Sequence, residues 1–192
     1  MPVVRYARRM TEIKINRAPL LTLWASIVAR CLGYDEDTAM TLGRAVSGLT
    51  AQSKGRRLGI YTSSSDEDRA RVQAKRDEIG AETVALMDRI IPCARTPEGL
   101  RALQKASPIA PESVRKHLAG RFKENLQSIE AQLTTWAAAY DPEELNRVAM
   151  DVYMRLRPSV PKGREGWGKA GLLDTDTIDA AIRARQPDAV GR

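Results

Sequence analysis

Two consecutive apolar-faced segments joined at a glycine limit the folds that are open to this chain. The apolar residues of the first segment recur at spacings of three and four, and they are Leu20, Leu23, Trp24, Ile27, Val28, Cys31 and Leu32. This spacing predicts an amphipathic helix with one face toward a core. Pro19 stands where a first turn tolerates a missing N–H, and Gly33 stands where a left-handed residue ends a helix.

A second helix is predicted directly after Gly33. Asp35 can cap it, and Glu36 and Asp37 complement the positive end of its dipole. Its apolar positions are Ala39, Leu42, Val46 and Leu49. The chain then leaves this helix through a basic, glycine-broken segment, residues 54–59.

Positive charge is concentrated around these two helices. Residues 1–60 contain 10 Lys or Arg against 4 Asp or Glu, whereas residues 61–192 are almost balanced, within a net charge of +7. Such asymmetry favours an anionic partner, either a nucleic acid or an acidic protein surface. The alternative is charge that only keeps a basic protein soluble. The candidate phosphate contacts are Arg44, Lys54, Arg56 and Arg57, with Lys14 and Arg17 as helpers.

Residues 28–49 resemble the helix–turn–helix family of DNA-binding motifs. The resemblance is carried by a small residue in the first helix, Ala29, by Gly33 at the turn, and by the buried-type residues Ala39 and Leu42. It implies a recognition helix whose N-terminal half reads base edges. The carboxylates at the start of this helix depart from that pattern, because phosphates would repel them. We therefore expect phosphate contact without sequence readout.

The middle of the chain leaves two alternatives open. Residues 84–91 can finish a helix that Pro92 stops, or residues 84–104 can form a small β-hairpin with its turn at Thr96 to Gly99. Short apolar runs do not separate a strand from a buried helix.

The C-terminal part has the strongest helical periodicity. Apolar residues recur at steps of four and three from Val114 to Trp136, with an interruption expected near Gly120. Asp141 and Pro142 restart a helix after a short link, which predicts an antiparallel helical hairpin. Residues 157–173 are predicted as a loop. The expected fold is mainly α, with a helix–turn–helix-like N-terminal corner packed on a C-terminal helical hairpin.

This pattern predicts one helical domain over residues 16–185, a flexible basic arm over residues 1–15 and a loose tail over residues 186–192. No apolar run reaches the roughly 20 residues of a membrane span, and no secretory signal is present, so we expect a cytoplasmic protein. Two cysteines and one histidine argue against a disulfide framework and a zinc site.

Enzyme signatures are weak. Gly163, Gly168 and Lys169 have P-loop spacing, but Ala170 replaces the hydroxyl residue that would hold magnesium. His117 is expected at the surface, and no Ser or Cys has a recognisable base partner. We therefore expect no cofactor, no bound metal and no catalytic residue.

A wider resemblance links the chain to a family of uncharacterised bacterial proteins. It is carried by the run from Ile15 to Trp24, by Ser53, Lys54 and Gly55, and by the Gly-Trp-Gly at 166–168. It implies a bacterial origin and no particular activity. The sequence thus favours nucleic-acid binding, most plausibly of DNA, with low specificity; the alternative is a helical protein-interaction module, including a homo-oligomer.

Overall fold

A computed structural model describes residues 12–161 and 169–185. The helices are α1 (Arg17–Cys31), α2 (Glu36–Arg57), α3 (Asp66–Glu78), α4 (Pro111–Phe122), α5 (Leu126–Ala137), α6 (Pro142–Leu156) and α7 (Thr175–Arg185). A short 3-10 turn, Lys123–Asn125, separates α4 from α5. The strands are β1 (Glu12–Asn16), β2 (Glu82–Leu86), β3 (Arg89–Thr96), β4 (Gly99–Gln104), β5 (Ser107–Pro108) and β6 (Ala170–Asp174). The protein is therefore mainly α, with two small antiparallel sheets.

Helix α1 is the centre of the core. The apolar spacing of α1 predicted burial along a single face. Every residue from Pro19 to Ala29 is buried, so the helix is instead covered on all sides. Two hydroxyls are buried with it. The Thr22 hydroxyl donates to the Ala18 carbonyl, and the Ser26 hydroxyl donates to the Thr22 carbonyl. Because both acceptors belong to α1 itself, the two buried hydroxyls need no hydrogen-bond partner from another element.

The turn between α1 and α2 forms as the sequence predicts. Gly33 adopts φ +93°, a conformation that favours glycine. The Asp35 carboxylate caps α2 by accepting from the Thr38 amide at 2.9 Å. The cap and the glycine together reverse the chain, so that α2 returns along α1.

Helices α1 and α2 form a close antiparallel pair. A Cβ atom on Gly43 would lie 2.2 Å from Ser26 Oγ and 2.4 Å from the Thr22 carbonyl oxygen, so only glycine fits. Further along, the Ser47 hydroxyl donates to the Ala18 carbonyl. The contacts therefore extend from the middle of α1 to its first turn.

The middle of the chain is a four-stranded meander in the order β2-β3-β4-β5. The hairpin alternative is confirmed, and the helix alternative for residues 84–91 is wrong. Strands β3 and β4 pair from Cys93–Ala102 to Thr96–Gly99, as the predicted turn requires. The meander packs on α2, and the Ala102 amide donates to the Thr41 hydroxyl at 3.1 Å.

The C-terminal helices wrap the other side of α1. The predicted break in the long helical stretch falls at Lys123–Asn125, three residues later than Gly120. Helices α5 and α6 each contact α1 more extensively than they contact each other, so the expected hairpin is opened by the helix between them. The Trp24 indole donates to the Ala149 carbonyl at 2.9 Å, and its ring lies 6.0 Å from that of Trp136.

A two-stranded sheet joins the two ends of the described chain. Strand β1 pairs antiparallel with β6, from Glu12–Asp174 to Asn16–Ala170. Residues 12–15, assigned to a flexible arm, therefore form a strand, and so do residues 170–173 of the expected loop. Residues 1–11, the glycines of the P-loop-like motif and the tail 186–192 lie outside the described residues.

Helix α3 is almost entirely solvent-exposed. It has no buried residue, and its charged side chains pair along the helix, Arg69 with Asp66 and Arg71 with Asp68. Over residues 12–161 and 169–185, no helix combines the length and apolar character needed to cross a membrane. The same residues bring together no group of three potential metal ligands.

Candidate nucleic-acid interface

The C-terminal end of α2 extends beyond its partner helix. Ser47 lies beside Ala18, the second residue of α1, and α2 continues to Arg57. At about 1.5 Å per residue, this extension is about 15 Å long. Its first turn is half-buried, and there the Arg89 Nε donates to the Thr50 hydroxyl at 3.5 Å. The end of α2 is therefore a projecting feature of the surface.

Arg56 and Arg57 lie in the last turn of this projection, and both side chains are exposed. Neither forms an ion pair or side-chain hydrogen bond with any residue that the structure describes. Lys54, one turn before, is half-buried. The structure therefore brings together three of the six residues that the sequence proposed as phosphate contacts.

The chain folds back over the helix immediately after Arg57. The amides of Ile60 and Tyr61 both donate to the Gly55 carbonyl, and Gly59 makes the reversal possible at φ +69°. The Tyr61 ring then lies on Gly55 so closely that a Cβ atom there would come within 1.9 Å of the ring. Gly55, which lies among the basic residues at the end of α2, therefore allows the Tyr61 ring to pack directly against the helix backbone.

Exposed apolar side chains surround these cations. Leu58 is 56% exposed, Ile60 66% and Tyr61 53%. Large apolar side chains that stay this exposed, in a group and beside exposed arginines, mark an interaction site more often than isolated ones do. Only the charges were noted from the sequence. The second available signal was the group of apolar and aromatic residues, Leu58, Ile60 and Tyr61, directly after the basic ones.

Lys14 and Arg17 lie away from α2, at the junction of β1 and α1. Lys14 is exposed on β1, opposite Leu172 of β6. Arg17 is half-buried, its Nε donates to the Pro158 carbonyl at 3.0 Å, and its own carbonyl accepts from the Tyr153 hydroxyl. These bonds give Arg17 a structural role in joining α1 to the end of α6.

Arg44 faces a different neighbour. It is half-buried on α2, about 18 Å along the helix axis from Arg56, and α2 packs there against α4. Burial lowers the pKa of His117, and the positive charges of Arg44 and Arg121 lower it further.

The carboxylates at the start of α2 are engaged within the protein. Asp35 caps the helix, and the hydrogen bonds from Thr38 lower its pKa. Glu36 pairs with Arg30 at 3.0 Å, and Asp37 pairs with both Arg101 and Arg115. The helix is also buried from Thr38 to Gly43. The buried residues of this half of α2, from Thr38 to Gly43, are therefore inaccessible to a DNA groove.

The thiols offer no competing chemistry. Cys31 and Cys93 are both free, and Cys93 is fully buried. Burial raises the pKa of Cys93 to about 12, so its nucleophilic thiolate form is scarce at neutral pH.

Comparisons of the chain with protein-family models, curated proteins and solved structures gave no match. The resemblances to the helix–turn–helix family and to the uncharacterised bacterial family therefore stay predictions from the sequence.

Proposed function

We propose that this protein binds nucleic acid through the projecting end of α2, with low sequence specificity. Arg56 and Arg57 would contact backbone phosphates, with Lys54 beside them, and Tyr61 would offer a face on which a base can stack. The observation that carries the proposal is a pair of exposed arginines, which pair with no residue in 12–161 or 169–185, next to a half-exposed tyrosine at the tip of a helix.

Helix stability alone accounts for part of this arrangement. Cations in the last turn interact favourably with the negative end of the helix dipole, by about 0.3–1 kcal/mol each. That effect gives no reason for Leu58, Ile60 and Tyr61 to stay exposed beside them. A single-stranded nucleic acid accounts for both, because its phosphates need cations and its bases need apolar or aromatic surface.

Low specificity follows from the burial of α2. Sequence readout in a major groove needs several side chains of a helix at base edges. The residues from Thr38 to Gly43 are buried against α1 and the meander, so only the helix tip is accessible. We expect different sequences of equal length to bind with similar affinity, and single strands to bind better than duplexes.

Fluorescence polarisation with labelled 20-nucleotide single strands and duplexes, in 50 and 200 mM salt, tests the proposal. Neutralising three phosphates should weaken single-strand binding by about 20-fold over this range. The double variant Arg56→Glu/Arg57→Glu should abolish binding while the circular dichroism spectrum stays unchanged. The control Arg147→Glu/Arg155→Glu makes the same charge change on exposed positions of α6 and should retain most of the affinity.

Two results would contradict the proposal. Equal binding by both double variants would mean that only net charge matters. Unchanged binding by Arg56→Glu/Arg57→Glu would place the nucleic acid elsewhere on the protein.

A second candidate function is the docking of another protein on the same tip. The exposed fractions of Leu58 and Ile60 favour it, because apolar side chains dominate the centres of protein interfaces. For a second copy of this chain, light scattering after gel filtration should then give a mass that rises with concentration. The double variant Leu58→Ser/Ile60→Ser should lower that mass to 21.2 kDa.

A further inference from the structure

Helix α3 meets the turn between β4 and β5 near its C-terminal end. The Arg76 Nε of α3 donates to the Lys105 carbonyl of this turn at 2.7 Å. A cleft of about 560 Å³ lies between the C-terminal half of α3 and the turn. Its volume is within the range of about 300–1,000 Å³ that is usual for small-molecule sites. None of the described residues that line this cleft belongs to α2.

Apolar side chains line the cleft from α3. Val72, Lys75 and Ile79 share one face of the helix, because residues three and four apart are neighbours on its surface. Helix α3 has no buried residue, and Ile79, directly after its last turn, is 45% exposed. A ligand in the cleft would therefore cover apolar surface that the described elements leave open to solvent.

Three charged side chains line the same cleft. Lys75 and Glu78 come from the helix, and Lys105 comes from the turn. None of the three forms an ion pair with another residue in 12–161 or 169–185. The cleft therefore offers two cations and one carboxylate to a ligand, next to its apolar side chains.

Lys105 occupies a backbone position that suits glycine better. Its φ is +59°, in the left-handed region. The turn joins Gln104 of β4 to Ser107 of β5, and such hairpin positions usually carry Gly, Asn or Asp. Residues that are held in this region are concentrated at ligand-binding and active sites. The turn itself does not need a lysine, whereas a site in the cleft would use its charge.

We infer that this cleft binds a nucleotide whose base carries an amino group. Lys75 and Lys105 attract its phosphate, and the base packs on Val72 and Ile79. The Glu78 carboxylate accepts a hydrogen bond from the amino group. A fatty acid or an inorganic anion matches only part of this set, because neither has a donor for Glu78. The inference stands apart from the proposed function, since the cleft and the end of α2 share no residue.

Isothermal titration calorimetry of the full chain tests the two-part recognition. Adenosine monophosphate should bind with a dissociation constant below about 1 mM. Adenosine lacks the phosphate and ribose 5-phosphate lacks the base, so each should bind at least about tenfold more weakly. A dissociation constant above about 1 mM for adenosine monophosphate, or equal binding of ribose 5-phosphate, would overturn the inference.

Two lysine variants connect binding to the cleft. Lys75→Gln and Lys105→Gly should each weaken adenosine monophosphate by about three- to tenfold, through the loss of one charged contact. Lys105→Gly should also unfold at the same or a higher temperature, because glycine adopts φ +59° without strain. Lys116→Gln, on an exposed position of α4, is the control and should bind like the wild-type chain. Wild-type binding by both cleft variants would overturn the site.

Two further variants test the role of the carboxylate and the location of the site. Inosine monophosphate carries a carbonyl in place of the amino group and should bind more weakly than adenosine monophosphate. Glu78→Gln should remove this preference, because an amide also donates to a carbonyl. Arg56→Glu/Arg57→Glu should leave adenosine monophosphate binding unchanged. A preference that persists in Glu78→Gln, or binding that is lost with the two arginines, would contradict the assignment.

NMR distinguishes a free nucleotide from one nucleotide of a strand. The methyl signal of Ile79, assigned with Ile79→Val, should shift when adenosine monophosphate is added. An eight-nucleotide adenine strand without a terminal phosphate is titrated separately. A shift with both ligands would assign the cleft to a nucleotide within a strand, and a shift with the mononucleotide alone would assign it to a free nucleotide. No shift with either ligand would overturn the inference.

Discussion

The Asp37 carboxylate at the start of α2 accepts a hydrogen bond from Arg101, a guanidinium that is only 4% exposed. The same guanidinium also donates to the carbonyls of Glu98 and Leu100, at 3.1 and 2.8 Å. The contact anchors the first turn of α2 in β4, inside the protein. It helps to hold the acidic start of α2 within the protein, while the basic end of the helix extends into solvent.

Loss of this charge should destabilise the fold. In Asp37→Asn the buried Arg101 keeps its carbonyl acceptors but loses its counter-charge, so we expect the free energy of unfolding to fall by about 1–3 kcal/mol. Urea denaturation at pH 7 measures the change. Glu36→Gln is the matched control, because its partner Arg30 is more exposed and surface pairs contribute about 0–1 kcal/mol. Equal effects of the two variants would mean that Arg101 does not need Asp37.

The glycines of α2 should differ sharply in their response to alanine. Gly43→Ala places a Cβ atom 2.4 Å from the Thr22 carbonyl oxygen, which belongs to the backbone of α1, so the helices must separate. We expect a loss of about 1–3 kcal/mol, as in overpacked cores. Gly48→Ala meets nothing within 4 Å and should stabilise by about 0.5–1 kcal/mol through helix propensity. Thermal unfolding of the two variants distinguishes them, and a tolerated Gly43→Ala would contradict the close packing of α1 and α2.

Patterns of neighbouring residues in the sequence predicted α1 and α2. Pairings between residues far apart in the sequence could not be predicted in this way. Gly33 predicts a turn because glycine tolerates a positive φ, and Asp35 predicts a helix cap because its carboxylate accepts backbone amides. In contrast, β1 and β6 are short, and each pairs with residues about 158 positions away, so nothing local predicts their pairing. The alternation of exposed and buried residues in β1 is typical of a strand but names no partner. Thr41 is buried because its hydroxyl bonds to β4. A polar residue in the sequence gives no hint of a partner 61 residues distant.

The same contrast between local and tertiary information applies to the candidate site. Arg56 and Arg57 are adjacent in sequence, so their joint position follows from any helix. Which surface lies beside Arg44, in contrast, depends on how α2 packs against α4, a tertiary contact in which Asp37 pairs with Arg115. Spacing within one helix predicts faces, whereas a site built across two helices needs the packing between them.

The cap of α2 should make part of the stability depend on pH. Hydrogen bonds from Thr38 hold the pKa of Asp35 below its usual 3.8 in the folded protein. A depressed folded pKa means that the carboxylate stabilises the fold at pH values above the unfolded pKa. That contribution is lost as the pH falls through the lower, folded value. Asp35→Asn keeps an N-cap side chain but does not titrate, so its stability deficit should shrink between pH 5 and pH 2 in urea titrations. A deficit that is constant with pH would contradict an ionised cap.

Tyr61 should contribute to binding through its ring and not through its hydroxyl. Tyr61→Ala removes the half-exposed face above Gly55, and base stacking on an aromatic residue is worth about 1–3 kcal/mol. We therefore expect single-strand affinity to fall by about 5- to 150-fold in fluorescence polarisation, with duplex affinity less affected. Tyr61→Phe keeps the ring and should bind like the wild-type chain. Equal weakening by both variants would assign the effect to the hydroxyl, and wild-type affinity in Tyr61→Ala would remove stacking from the mechanism and leave the arginines alone at the tip of α2.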